Sequence, residues 1–143
     1  MDQSQINEIR VFNRFYTKFI GLLDKHVLNS AYSLPEARIL FELYREPGLT
    51  ASDLIRLLDV DKGYLSRMLK RFEKGAMLRK QVSAQDRRVV HLSLSESGKA
   101  EYERLDRASS EHIRKIFRHY SMAEIRALIN HMQGIQNLIN KSS

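Results

Sequence analysis

VDKGYLSRMLKRFEKGAMLRKQVSAQDRRVVHLSLSESG, residues 60–98, is the stretch on which the fold turns. Asp61 is placed to cap a helix, its carboxylate accepting from the first free backbone N–H groups. Within that helix Tyr64, Leu65, Met68, Leu69 and Phe72 fall on one stripe. Lys62, Gly63, Ser66, Arg67, Lys70, Arg71 and Lys74 fall on the other face. Gly75 stands where a left-handed residue would end the helix. Two short strands are then expected, at 77–82 and 89–94, because Val90, Leu92 and Leu94 alternate with Val89, His91 and Ser93. The polar run Ser83 to Arg88 between them reads as a turn.

Working back from this stretch, Thr50-Ala-Ser-Asp53 has the pattern of a capping box and opens a short helix with Leu54, Leu57 and Leu58 apolar. Asp59-Val60-Asp61 is a tight connection into the basic helix. Two short helices joined this way, the second basic on its outer face, make a helix-turn-helix. The hairpin that follows is then a wing. Further upstream, Ser33-Leu-Pro-Glu36 is a second capping box, with proline in the first turn where its missing N–H does no harm. That helix carries Ala37, Leu40, Leu43 and Tyr44 on one face and ends at Pro47-Gly48. A turn at 29–33 separates it from a long amphipathic helix over 4–28, whose stripe is Phe12, Phe15, Tyr16, Phe19, Ile20, Leu23 and Val27. The stripe reads as core or dimer interface; the sharper reading is the wall of an aromatic ligand pocket. Downstream, Ser95 caps a helix to about Arg118, marked by Tyr102, Leu105, Ile113, Ile116 and Phe117. Ser121-Met-Ala-Glu124 is a third capping box and opens a last helix with Ile125, Leu128, Ile129, Met132, Ile135, Leu138 and Ile139 apolar.

Charge is focused on the same stretch. The net charge is +7, and ten basic residues against four acids between Arg56 and His91 supply +6 of it. Such a focus is either the electrostatic footprint of a phosphate-backbone binder or a solvated basic face with no partner, and charge alone does not choose between them. The 143 residues contain no cysteine, which excludes disulfides, thiolate metal sites and thiol redox sensing. No apolar run approaches the ~20 residues of a membrane span, and no basic start precedes an apolar one. The expectation is a soluble, cytoplasmic protein.

Leu65-Ser66-Arg67, Leu69, Glu73-Lys74-Gly75, Asp86-Arg87-Arg88, Leu94-Ser95 and Gly98 together resemble the multiple-antibiotic-resistance regulator (MarR) family. The family's wing pattern is Asp-x-Arg, a short strand ending in Leu-Thr, then a Gly; here Ser95 replaces the threonine and keeps the hydroxyl. The resemblance implies a mainly α fold with a small β-hairpin wing. A winged helix-turn-helix over 33–95, with its wing at about 77–94, would sit between dimerisation helices at 4–30 and 96–140, as one unit over 1–143. It further implies a homodimer on a pseudo-palindromic operator in double-stranded DNA, a repressor-type occlusion or remodelling of a promoter, and modulation by a small aromatic effector. A narrower similarity, in Phe12 to Thr17, Ile20 to Leu23, Glu36-Ala37-Arg38 and Gly63 to Arg67, is to the regulator half of MarR proteins fused to GNAT-type acetyltransferases. The present length leaves no room for the acetyltransferase, so a stand-alone relative or a separated regulatory half is expected.

Roles follow for the residues. Lys62, Gly63, Ser66, Arg67 and Lys70 are the major-groove candidates. Arg67 is suited to a guanine edge and Ser66 to donating or accepting. Gly63 would either permit close backbone approach or be a tolerated first-turn residue; Lys70 leans towards phosphate. Arg71 and Lys74 are expected at the DNA backbone. By the resemblance, Arg88 is the minor-groove arginine, Asp86 the carboxylate that orients a neighbouring arginine, and Arg87 a phosphate contact. Arg14, Phe15, Tyr16 and Phe19 are the candidate effector-pocket residues. No cofactor, metal or catalytic residue is expected: there is no Gly-rich phosphate loop, nucleophile elbow or paired-carboxylate constellation. A metal site from Glu111, His112, His119 and His131 is the weaker reading of scattered helix-surface histidines. The remaining rival is a winged-helix module that binds protein rather than DNA.

Overall fold

The computed structural model describes residues 1–23 and 30–140. The expected stripe residue Val27, the end of the helix expected over 4–28 and Asn29 of the following turn lie outside the described residues. Six helices and two strands are seen among them: α1 Gln3–Leu23, α2 Leu34–Arg45, α3 Ala51–Leu58, α4 Lys62–Lys74, β1 Leu78–Val82, β2 Val90–Leu94, α5 Glu96–Ile116 and α6 Met122–Asn140. The chain divides into two compact units, residues 1–109 and 110–143.

In the first unit, helix starts are set by side chains that satisfy otherwise orphaned N–H groups. Ser33 with Glu36 and Thr50 with Asp53 form reciprocal capping boxes at α2 and α3. Asp61 caps α4, accepting from the Tyr64 N–H at 2.9 Å. Asp59, left-handed at φ 50°, makes the turn between α3 and α4 tight. The apolar stripes then meet in one core of Ile39, Leu40, Leu43, Leu49, Leu54, Leu65, Met68, Leu69, Phe72, Met77, Leu92, Leu94 and Leu105. Each fully buried Leu, Ile or Phe contributes about 1.5–3 kcal/mol. Four of the five stripe residues of α4 are buried, and Tyr64 is half-buried. The outer face of α4 is therefore fixed outward by its inner face.

The hairpin pairs antiparallel with Leu78 opposite Leu94 and Val82 opposite Val90. It also gains a third partner that the sequence does not announce. Leu49 bridges to Leu92, with Gly48 N–H donating to the Leu92 carbonyl and Leu92 N–H to the Leu49 carbonyl, both at 2.8 Å. This ties the wing root to the connection between α2 and α3.

Three expectations for the first unit need correction or addition. The left-handed residue after α4 is Ala76 at φ 54°, not Gly75, which sits at φ −82°. The helix runs one residue further than its glycine suggests, and the reversal falls one position later. Met77 N–H donates to the Phe72 carbonyl and Ala76 N–H to the Glu73 carbonyl, both at 2.9 Å, which is a Schellman closure. An L-residue there is strained, so Ala76→Gly is expected to raise stability by about 0.5–1 kcal/mol, read as a higher urea midpoint at unchanged slope. On α2, Ile39 is buried while Tyr44 is exposed, its ring 4.3 Å from that of Tyr102 on α5. Finally, α2 buries two acids, Glu36 and Glu42. Glu42 is held on its own helix by Arg38 at 2.8 Å and Arg45 at 3.0 Å.

Helix α1, also in the first unit, buries none of its residues. Phe12 stacks on Tyr16 and Phe15 on Phe19, with centroids 5.5 and 6.1 Å apart. In the second unit, Ser121 and Glu124 form the expected cap at the start of α6, and α6 likewise buries no residue.

Candidate nucleic-acid interface

The outer face of α4 presents Lys62, Gly63, Ser66, Arg67, Lys70 and Lys74, all exposed. Arg67 lies over the Tyr64 ring, its guanidinium carbon 5.7 Å from the centroid. That cation–π contact holds the fork near the start of the helix, where a major-groove reader must project. Gly63 has a local reason beyond the two considered from sequence. A Cβ there would come within 3.2 Å of the Asp61 carboxylate that caps the helix and 3.7 Å of Arg67. Its bareness leaves room for both.

Arg71 stands apart from the other basic residues. Its guanidinium donates to Glu36 Oε1 at 2.6 Å and to the Ala31 carbonyl at 2.5 Å. The expectation that it meets the DNA backbone must therefore be set against a guanidinium already committed within the chain. The physical reason is its position at the C-terminal half of α4, turned towards the buried Glu36 in the first turn of α2. Lys80 on β1 is likewise paired, with Glu73 of α4 at 2.6 Å, which fixes the wing to the helix.

At the wing tip, Ser83 N–H donates to the Val89 carbonyl and Val89 N–H to the Asp86 carbonyl, both at 2.9 Å. Asp86 chooses Arg88, not Arg87. Its Oδ1 accepts from the Arg88 backbone N–H at 3.0 Å and from Nε at 3.1 Å, and its Oδ2 accepts from a terminal guanidinium nitrogen at 3.2 Å. These bonds hold the Asp86 carboxyl below the usual carboxylate range, the Arg88 side chain first and its N–H second. A lowered pKa means the pairing is intact above the ordinary carboxylate value and is lost only as pH falls through the lowered one. Arg88 remains exposed, so the fork is oriented but still available. Arg87 is exposed beside it.

Arg14, Phe15, Tyr16 and Phe19 lie together along α1, the first three exposed. Among the described residues they form a stripe rather than an enclosed cavity. No three His, Asp or Glu side chains are placed to hold a metal among the described residues, which leaves Glu111, His112, His119 and His131 unassembled. Nor is any described helix long and apolar enough to cross a membrane.

The arrangement is one that known proteins share. Residues 32–89, the helix-turn-helix and most of the wing, match the family model described as MarR family. The chain is 32% identical over 97 residues to the HTH-type transcriptional regulator PetP of Rhodobacter capsulatus, a match covering 68% of this chain and 56% of PetP. The chain thus spans little more than half the length of that relative. In fold it is similar to FabT of Streptococcus pneumoniae, solved in complex with DNA, at a TM-score of 0.72 and 23% identity over 99% of this chain and 100% of FabT. It is similar also to wild-type MarR of E. coli, at a TM-score of 0.74 and 20% identity over 88% and 94% of the two chains. The chain is thus similar to the MarR family over residues 32–89 and shares the fold of MarR-type structures over most of its length.

Proposed function

We propose that the chain is a sequence-specific, double-stranded-DNA-binding transcriptional regulator that acts in the cytoplasm as a homodimer on a pseudo-palindromic operator. The carrying observation is the outer face of α4, with Lys62, Ser66, Arg67 and Lys70 exposed, together with a wing tip in the same unit where Asp86 pre-orients Arg88. In this reading α4 enters the major groove. Arg67 takes a guanine edge in bidentate fashion, Ser66 and Lys62 read beside it, and Lys70 and Lys74 neutralise phosphate. Arg88, with Arg87 next to it, reaches the minor groove, whose negative potential attracts arginine. A two-fold dimer sets the two α4 helices about one DNA turn apart, roughly 34 Å. A small aromatic effector on the α1 stripe, with Arg14 facing any carboxylate it carries, would act by binding one head spacing better than another.

Selection of bound sequences from random duplex DNA tests the reading, and should return an inverted repeat with half-sites one turn apart. Arg67→Ala should then lower operator affinity by about 1–3 kcal/mol per head and relax the sequence preference at one base pair of each half-site. Lys70→Ala should weaken operator and random duplex alike and reduce the salt slope by about one per head. Operator binding indifferent to both substitutions would mean that α4 is not the reading helix.

A further inference from the structure

We infer that Arg71 is a positioning residue for DNA reading, a latch that sets the angle of α4 through Glu36 and the 30–33 connector without touching DNA itself. This rests on the DNA-reading function proposed above. One carboxylate does two jobs. Glu36 Oε2 accepts from the Ser33 N–H at 2.8 Å and the Ser33 hydroxyl at 3.1 Å, closing the cap of α2. Its Oε1 accepts from Arg71 at 2.6 Å. The same guanidinium takes the Ala31 carbonyl and lies over the Tyr32 ring, 5.7 Å from its centroid. Tyr32 in turn packs on Phe72, the residue after Arg71, with ring centroids 6.2 Å apart, and its hydroxyl lies 3.5 Å from Met77 Sδ.

The connector and the far half of α4 are thereby held by three kinds of contact at one arginine: an ion pair, a backbone carbonyl and a ring face. Glu36 is only 4% exposed, so its half of the pair cannot be replaced by water as readily as a surface ion pair can. Arg67 and Ser66 lie one turn earlier on the same rigid helix. A tilt at Arg71 would therefore move them relative to base edges, where bidentate readout tolerates little displacement. Phosphate contacts by flexible lysines tolerate it better. Release of the latch should thus cost discrimination more than general affinity.

The test uses the full chain, the operator recovered by selection, and a random duplex of equal length. Arg71→Met keeps the stem over Tyr32 and removes the donors; Glu36→Gln keeps an acceptor for the Ser33 cap and removes the charge. Arg71→Met is expected to lower operator affinity about tenfold, within the range that residues remote from a ligand exert. Random-duplex affinity and the salt slope should stay as in the parent chain. Arg71→Lys, which reaches only one acceptor at a time, should recover part of the loss. The double variant should lose no more than the worse single one, since both break one interaction. A salt slope lowered by about one per head, with equal weakening on both duplexes, would instead make Arg71 a phosphate contact and overturn the latch. Additive losses in the double variant, or an Arg71→Met chain that matches the parent, would overturn it as well. If the parent chain itself fails to prefer any selected duplex, the DNA-reading function falls, and the latch with it.

Discussion

Gly98→Ala should destabilise the head by about 3 kcal/mol, the largest single-atom effect expected in this chain. The reason is the joint where β2 hands over to α5. Ser95 Oγ accepts from the Gly98 N–H at 3.1 Å and donates to the Ala76 carbonyl at 2.7 Å, while Ser97 Oγ donates to the same carbonyl at 3.0 Å. The Ser95 N–H donates to the Met77 carbonyl at 2.9 Å. The first turn of α5 is thus drawn onto the reversal that ends α4. At Gly98 the approach is so close that a Cβ would collide with the Met77 carbonyl oxygen and would also lie only 3.3 Å from Leu94 Cβ. Both obstacles belong to the framework: one is backbone and the other the root of a buried side chain. No rotamer change relieves them. Either α5 lifts from the turn, losing the serine bonds, or the turn shifts and disturbs the Schellman closure of α4. A total stability of the usual 5–15 kcal/mol makes such a loss visible as a large drop in urea midpoint. An unchanged midpoint would mean that the joint is looser than its hydrogen bonds describe.

Gly98 also shows how the sequence was legible and where it was not. A Gly shortly after the Leu-Ser of the second strand is part of the family's pattern, and its position could be read. Its physical purpose, clearance for a carbonyl twenty-one residues earlier in the chain, could not, because clearance is a property of the assembled joint. The same division runs through the head. Capping at Ser33, Thr50, Asp61 and Ser121 is local chemistry and was readable from three or four residues. The stripe of α4 was readable because burial at helical spacing leaves a periodic trace. The third partner of the wing at Leu49 leaves no such trace, being one residue long. The αL position at Ala76 was hidden by the glycine next to it, which drew the reversal to itself. At the candidate interface, sequence alone assigned Arg67 to base edges and Arg71 to the DNA backbone, without a partner within the chain for either. Only the fold separates Arg67, laid on Tyr64, from Arg71, tied to Glu36, because the partners lie three residues away in one case and thirty-five in the other. The pairing of Asp86 with Arg88 rather than Arg87 is likewise a matter of turn geometry.

Phe15→Glu should convert the proposed dimer to a monomer and, with it, abolish tight operator binding. The argument starts from exposure. Phe15 is 63% exposed on α1, beside Phe12 and Tyr16, which are also exposed. On α6, Ile129, Ile135, Leu138 and Ile139 are exposed as well. Each of these helices thus carries apolar surface that its own unit does not cover, and contiguous apolar surface of this kind marks an interaction site. A second copy of the chain is the occupant proposed above. Under two-fold symmetry one substitution is present twice in the interface. Loss of a buried phenyl ring costs about 3–5 kcal/mol, and a carboxylate brought against the same surface adds to it. Dimer affinity should therefore fall by roughly a thousandfold or more. The heads should stay folded, because Phe15 is no part of their core. Each would then bind a half-site alone, without the gain of roughly 10²–10⁴ that linking two heads confers. Sedimentation over a concentration series and titration of the selected operator read the two effects separately. These two measurements, with a titration of small aromatic carboxylates added, decide between the two readings of the α1 stripe. A chain that dissociates and loses the operator makes the stripe an interface. A chain that stays dimeric with operator affinity intact, but no longer binds small aromatic carboxylates that the parent binds, makes it the wall of an effector pocket and sinks the dimer assignment for α1.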